Sequence, residues 1–147
     1  MRALALSLIV AAFAWPLVLG SAVWQQFDGH PHLWSAVVYA AASRVCHQRP
    51  ERSFFSAGIK WPVCGRCSGL YLAAPLGAVA AAVALRGRKR VPHQVGLLIA
   101  AAIPTALTLG VEWLGLAGVT NLDRFLAALP LGAMIAFVLV RTAAGES

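Results

Sequence analysis

Three cysteines and one histidine fall within twenty-two residues: Cys46-His47, then Cys64-Gly65-Arg66-Cys67. The spacing is Cys-His-x16-Cys-x2-Cys, and the second pair opens a long apolar segment. A Cys-x-x-Cys pair lets both sulfurs turn toward one tetrahedral ion, with metal–sulfur bonds of about 2.3 Å. Cys46 and His47 add two donors across a loop of ordinary length for such sites, and Cys3His is a known structural zinc set. Adjacent ligands must curl to reach one ion, so His47 either completes the set or stands behind it. Zinc is the expected metal; iron, copper or haem ligation by the same donors stays open.

A rival chemistry uses the same thiols. A Cys-x-x-Cys at a helix start, near Arg49, Arg52 and Arg66, is also an arrangement that lowers thiol pKa values and serves disulfide exchange. A quinone-linked membrane thiol–disulfide oxidoreductase would use Cys64 and Cys67, with Cys46 as the shuttle. Three cysteines leave one over after any single bridge, whereas a metal site has no remainder. That arithmetic, and the histidine beside Cys46, favour metal.

These residues must be positioned by membrane helices. Of the 147 residues, 60% are hydrophobic and 12% charged, about half the charged fraction of a soluble domain. The net charge of +7 belongs to Arg and Lys flanking membrane spans. No basic–aromatic interleaving supports nucleic-acid binding, so the lipid bilayer is the expected partner. Uncharged stretches predict spans from Ala3 to about Trp24, Cys67 to Leu85, about Val95 to Val111, and Phe125 to Val140. The run from Ala3 to Phe27 exceeds a signal-peptide core and is read as a retained helix. Pro16, Pro75, Pro104 and Pro130 are tolerated as kinks in lipid. Leu33 to Ala42 is apolar but half a span long, which predicts an interfacial or re-entrant helix. Arg52-Ser53-Phe54-Phe55 reads as an interfacial turn with its aromatic rings in lipid.

The fold class expected is therefore all-α: a single transmembrane domain over residues 1–147, with about four spans and one extra short helix. Residues 44–67 form the Cys/His loop entering the second span. The cluster Arg86-Gly87-Arg88-Lys89-Arg90 marks a cytoplasmic loop, which puts both termini in the cytoplasm and the Cys/His loop outside. Tracing the spans up and down brings Asp28, His30, His32, Glu112, Asn121, Asp123 and Arg124 to the face that carries the cysteines. Glu112, after seventeen uncharged residues, is either functional or an interfacial partner of Arg124 or Arg66. Asn121 and Asp123 are candidate caps of the last helix. His30 and His32 read as solvated loop residues.

Cys46-His47-Gln48-x-Pro50-x-Arg52-Ser53-Phe54, followed by Pro62-Val63-Cys64-x-Arg66-Cys67-x-Gly69-x-Tyr71, resembles the domain-of-unknown-function 2085 family of small prokaryotic predicted membrane proteins. The resemblance covers the central third of the chain, and more loosely the Glu112, Asn121 and Arg124 stretch. It implies an integral protein of a prokaryotic plasma membrane with a Cys/His cluster, and carries no activity with it. It also implies that Gln48, Arg52, Ser53 and Arg66 belong to the site. Cys46, His47, Cys64 and Cys67 are thus the expected ligands. Gln48, Arg52, Ser53, Arg66, Glu112, Asn121 and Arg124 surround them, in a protein whose role is structural or accessory.

Overall fold

The computed structural model describes residues 2–30, 32–87 and 93–145. Arg88, Lys89 and Arg90 of the basic loop, Pro31 between the two histidines, and Glu146 lie outside the described residues. Among the described residues, four helices are long and apolar enough to cross a membrane: α1 (Arg2–Trp24), α3 (Gly65–Arg86), α4 (Gln94–Trp113) and α5 (Asn121–Ala144). α4 is the shortest at 20 residues. At 1.5 Å per residue it still reaches about 30 Å, the thickness of the hydrocarbon core. A fifth helix, α2 (Leu33–Ser43), has 11 residues. The chain is thus a mostly helical membrane bundle with one short extra helix, as its apolar runs predict.

Each of the last three long helices starts or ends beyond its uncharged run, because polar end residues are satisfied locally. α5 is the clearest case. It starts four residues before Phe125 because Thr120 and Asp123 form a capping box. The Asp123 N–H donates to Thr120 Oγ1 at 3.2 Å, and the Thr120 N–H donates to Asp123 Oδ2 at 2.9 Å. This satisfies N–H groups that a helix start leaves orphaned. The cap is therefore Thr120, with Asp123 as its partner. Asn121 has a different task, described below.

α3 and α5 form the closest helix pair, and glycine is the reason. A side chain at Gly65, Gly69 or Gly77 would collide with the backbone of Asn121, Phe125 or Ala133 respectively. Those pairings share one offset along the chain, so the two helices run parallel and start at the same level. Small residues on a span permit such close approach. Gly69, two residues after Cys67, serves this contact. α1 packs against both helices, and α4 lies along α5, where Thr105 Oγ1 donates to the Ala127 carbonyl at 2.8 Å. Replacing Gly77 with leucine is expected to cost more than the roughly 1–3 kcal/mol of ordinary overpacking, because backbone cannot move aside. Loss of the monodisperse peak in detergent chromatography, or a melting temperature lowered by several degrees, would register it. An unchanged melt would contradict the close packing.

The segment before α3 is not a plain loop. A 3-10 turn (Pro50–Arg52) leads into β1 (Ser53–Ser56), which pairs antiparallel with β2 (Ile59–Cys64). Ala57 and Gly58 make the two-residue turn, both with positive φ, at 48° and 80°. This is the twist-matched hairpin geometry in which Gly is favoured. The expected interfacial turn at Arg52 to Phe55 is thus the end of the 3-10 turn followed by a strand. The Phe54 ring meets Phe125 of α5 edge-on, with centroids 5.8 Å apart. Phe55 is exposed.

Candidate metal centre

Three elements deliver the three cysteines. Cys46 follows α2, held to its end by the Cys46 N–H donating to the Ala42 carbonyl at 2.9 Å. Cys64 is the last residue of β2, and Cys67 lies in the first turn of α3. Cys46 is buried in a small core with Leu19, Ala22, Val38, Ala42 and Val63, against which Cys64, Cys67, Trp15 and Tyr71 pack. Trp15 and Tyr71 meet edge-on at 6.0 Å. Apolar contact between α1, α2, β2 and α3 thereby fixes where the sulfurs stand.

The three sulfurs lie within 4.8 Å of one another. Sulfurs sharing one tetrahedral zinc at about 2.3 Å would be about 3.8 Å apart, so the donors present fit a zinc-sized ion with small side-chain adjustment. The Cys64 N–H donates to Cys46 Sγ at 3.2 Å. Cys64 itself is held well below the ordinary thiol range, to about 5. The Cys67 thiol is the largest cause. Burial opposes it, and the backbone N–H groups of Cys67 and Arg66 and the Cys46 thiol assist. The neighbouring guanidinium groups are not among these causes; cysteine contacts and the amides at the helix start do what the arginine charges were expected to do.

A pH consequence follows. The lowered value keeps Cys64 a thiolate above about pH 5, where an ordinary cysteine is still protonated. In metal-stripped protein, iodoacetamide at pH 6.5 should therefore modify Cys64 first, about tenfold faster than an unperturbed thiol. Peptide mapping of a time course reads this. Equal rates at all three cysteines would contradict it.

His47 is exposed and is not among the donors gathered within that 4.8 Å cluster. It lines the same cavity as the three sulfurs, a recess of about 430 Å³. Gln48, also on that wall, adopts a left-handed backbone with φ of 49°. Its Nε2 donates to the Tyr39 carbonyl at 2.7 Å, and its own carbonyl accepts from Lys60 Nζ at 2.8 Å. The Tyr39 hydroxyl donates to the Lys60 carbonyl. Gln48 thus ties the Cys/His loop to α2 and the hairpin. Sequence reading missed Tyr39 and Lys60, because only tertiary contact brings them to Gln48.

The remaining expected residues form one polar network centred on Glu112, at the end of α4. Arg66 Nη2 donates to Glu112 Oε2 at 2.5 Å. Arg124 Nη2 and Nε donate to Oε1 at 2.6 and 3.2 Å, and Arg52 Nη2 stands 3.6 Å away. Arg124 Nη1 also donates to Asn121 Oδ1 at 2.7 Å, and Asn121 Nδ2 donates to the Ser53 carbonyl at 2.9 Å. Ser53, nearly fully buried, donates its hydroxyl to the Arg49 carbonyl at 2.9 Å. Parallel packing of α3 on α5 explains the assembly: it sets Arg66 and Arg124, one residue in from the start of α3 and three from that of α5, side by side. Glu112 is therefore the partner of both arginines that its sequence context had offered. The amino ends of two helices also face it with their partial positive charge.

Asp28, His30 and His32 stand apart from this network. The His32 ring contacts Asp28 at 2.8 Å, and the His30 N–H donates to Asp28 Oδ1 at 3.0 Å. Both bonds are exposed, as solvated loop residues would make. Arg49 and Trp113 line the cavity although neither had been singled out as a site residue.

The family model described as "Predicted membrane protein (DUF2085)" matches residues 46–138, a stretch that begins at the first cysteine and runs past Arg124. An uncharacterised protein of Methanocaldococcus jannaschii is 33% identical over 107 residues, covering 72% of this chain and 68% of that protein. An uncharacterised protein of Methanothermobacter thermautotrophicus is 35% identical over 88 residues, covering 60% of this chain and 78% of that protein. No solved structure matches.

Proposed function

This chain belongs to the DUF2085 family of predicted membrane proteins, and from its donor cluster we propose that it holds a metal ion, zinc before others, at one face of the membrane. Cys46, Cys64 and Cys67 are the sulfur ligands. His47, on the rim of the same cavity, swings in as the fourth. The observation that carries this is the gathering of three sulfurs from three separate elements within 4.8 Å. A bound ion would supply a rigid cross-link between α2, the hairpin and α3. The chain's own residues hold the thiolates, exclude bulk water on the Leu19 and Val38 side, and offset negative charge with Arg66 and Arg52. Four protein ligands close the coordination sphere, which suits a structural or accessory role in a membrane assembly.

The archaeal relatives support a prokaryotic plasma membrane. The basic loop after α3 supports a cytoplasmic position for that loop and an outward-facing Cys/His site. Residues 1–147 act as one transmembrane unit in this reading.

A second reading, a quinone-linked thiol–disulfide oxidoreductase, draws on the lowered pKa of Cys64 beside Cys67. Thiol mapping in native membranes separates the two. Metal ligation predicts three cysteines that resist alkylation until a strong chelator is added and then all react. A Cys46 disulfide to Cys64 or Cys67, unaffected by chelator, would replace the metal reading with the redox one.

A further inference from the structure

The cavity beside the sulfurs carries more positive charge than its one carboxylate can balance. Three guanidiniums, from Arg52, Arg66 and Arg124, converge on Glu112, leaving a charge of +2, and Arg49 adds another on the same wall. Each guanidinium offers a planar fork of N–H donors. Across Arg49, Arg52 and Arg66, the described residues show one side-chain hydrogen bond, from Arg66 Nη2 to Glu112. Arg66 Nε is buried and meets no acceptor among the described residues, a state that costs free energy unless something outside the protein satisfies it. Arg49 stands 4.0 Å from Glu51 in an exposed, weak pairing. Arg66, by contrast, has a side chain only 14% exposed, so water reaches it poorly. The donors line a recess of about 430 Å³, roomy enough for a small anion as well as a metal.

From this we infer that the cavity is a phosphate-binding site, in which Arg66 and Arg52, aided by Arg49, clasp the oxygens of a phosphate group beside the cysteine cluster. Paired N–H donors on a guanidinium match the oxygen spacing of phosphate. The site lies at helix ends, level with an 87% exposed Trp113 that also lines the cavity, as expected for a residue at headgroup depth. Two sources share the chemistry: free inorganic phosphate and the headgroup of an anionic lipid. The metal is not required, since the excess charge is on the arginines; a bound zinc with three thiolates would add a single negative charge and leave the cavity positive.

The test uses the full chain. Protein in neutral maltoside micelles is titrated with inorganic phosphate by calorimetry. Protein in phosphatidylcholine nanodiscs, with and without phosphatidic acid, is examined for retained lipid by native mass spectrometry. Wild type should bind in one arm, and that arm names the source. Arg52→Gln should weaken binding about tenfold or more. Arg52 is 39% exposed with a 3.6 Å ion pair, so this variant should fold; Arg49→Gln, at a more exposed arginine of the same wall, serves as a second variant with a smaller loss. No binding in either arm, or binding indifferent to both variants, overturns the inference. Zinc assayed in the same samples keeps the two readings apart. Phosphate binding without metal sinks only the metal centre, and metal without phosphate binding sinks only this site.

Discussion

Replacing Glu112 with alanine is expected to destabilise the protein by about 3–5 kcal/mol, the cost of stripping one partner from a buried ion network. The Glu112 side chain is 10% exposed, and those of Arg66 and Arg124 are 14% and 10% exposed. Without the carboxylate, two guanidiniums face each other at the shared entrance of α3 and α5, with Arg52 behind them. Repulsion there acts on the tightest helix contact in the bundle. Asn121 cannot substitute, because its Oδ1 accepts one bond from Arg124 and its Nδ2 is committed to Ser53. Thermal melts in detergent should show a fall of many degrees, or no folded protein. Glu112→Gln should fall between, keeping two acceptor contacts but no charge. Pairing Glu112→Ala with Arg66→Met should recover part of the loss, because it removes one of the stranded charges. A melt for Glu112→Ala within one degree of wild type would contradict the network's structural weight.

Cys64→Ser should empty the site while sparing the bundle. Serine is a poor zinc ligand at neutral pH, and Cys64 is the sulfur that joins the hairpin to α3. Metal per chain should drop from about one to near zero. The four long helices bury their own contacts, Gly77 against Ala133 among them, so helical content should persist. Local order should not. The segment from Arg44 to Lys60 would keep the Gln48 bonds but lose its cross-link, and trypsin should cut after Arg44 or Arg52 at least tenfold faster, Arg49 being shielded by Pro50. This is what removal of a structural metal does to the segment it pins. Equal proteolysis in wild type and variant would mean that the loop is held by the Tyr39, Gln48 and Lys60 contacts alone.

Most of the bundle was legible in the sequence because a bilayer imposes length and apolarity on each span. The 11-residue α2 was legible for the same reason in reverse: Leu33 to Ala42 is too short. Counting spans also placed Glu112, Asn121 and Arg124 on the cysteine face before any side-chain contact was known. The hairpin was not legible. Its turn is Ala57-Gly58 rather than a stronger pair such as Asn-Gly, and Pro62 argues against a strand. Gly58, with Ser53 to Ser56 and Ile59 to Val63 around it, was the available signal. The task of Asn121 was misjudged for a different reason. Its side chain acts on a strand far away in sequence, at Ser53, and local spacing carries no trace of that. His47, adjacent to Cys46 in sequence, stands on the cavity rim, outside the sulfur cluster, a placement that spacing alone does not fix.

The central claim is that the three sulfurs share a metal ion. Its most direct test is elemental analysis of the full chain, purified from membranes in detergent without chelators, alongside Cys64→Ser prepared identically. The account predicts about one zinc per wild-type chain and almost none in the variant. Wild-type protein without stoichiometric metal, or a variant that retains as much, would contradict it.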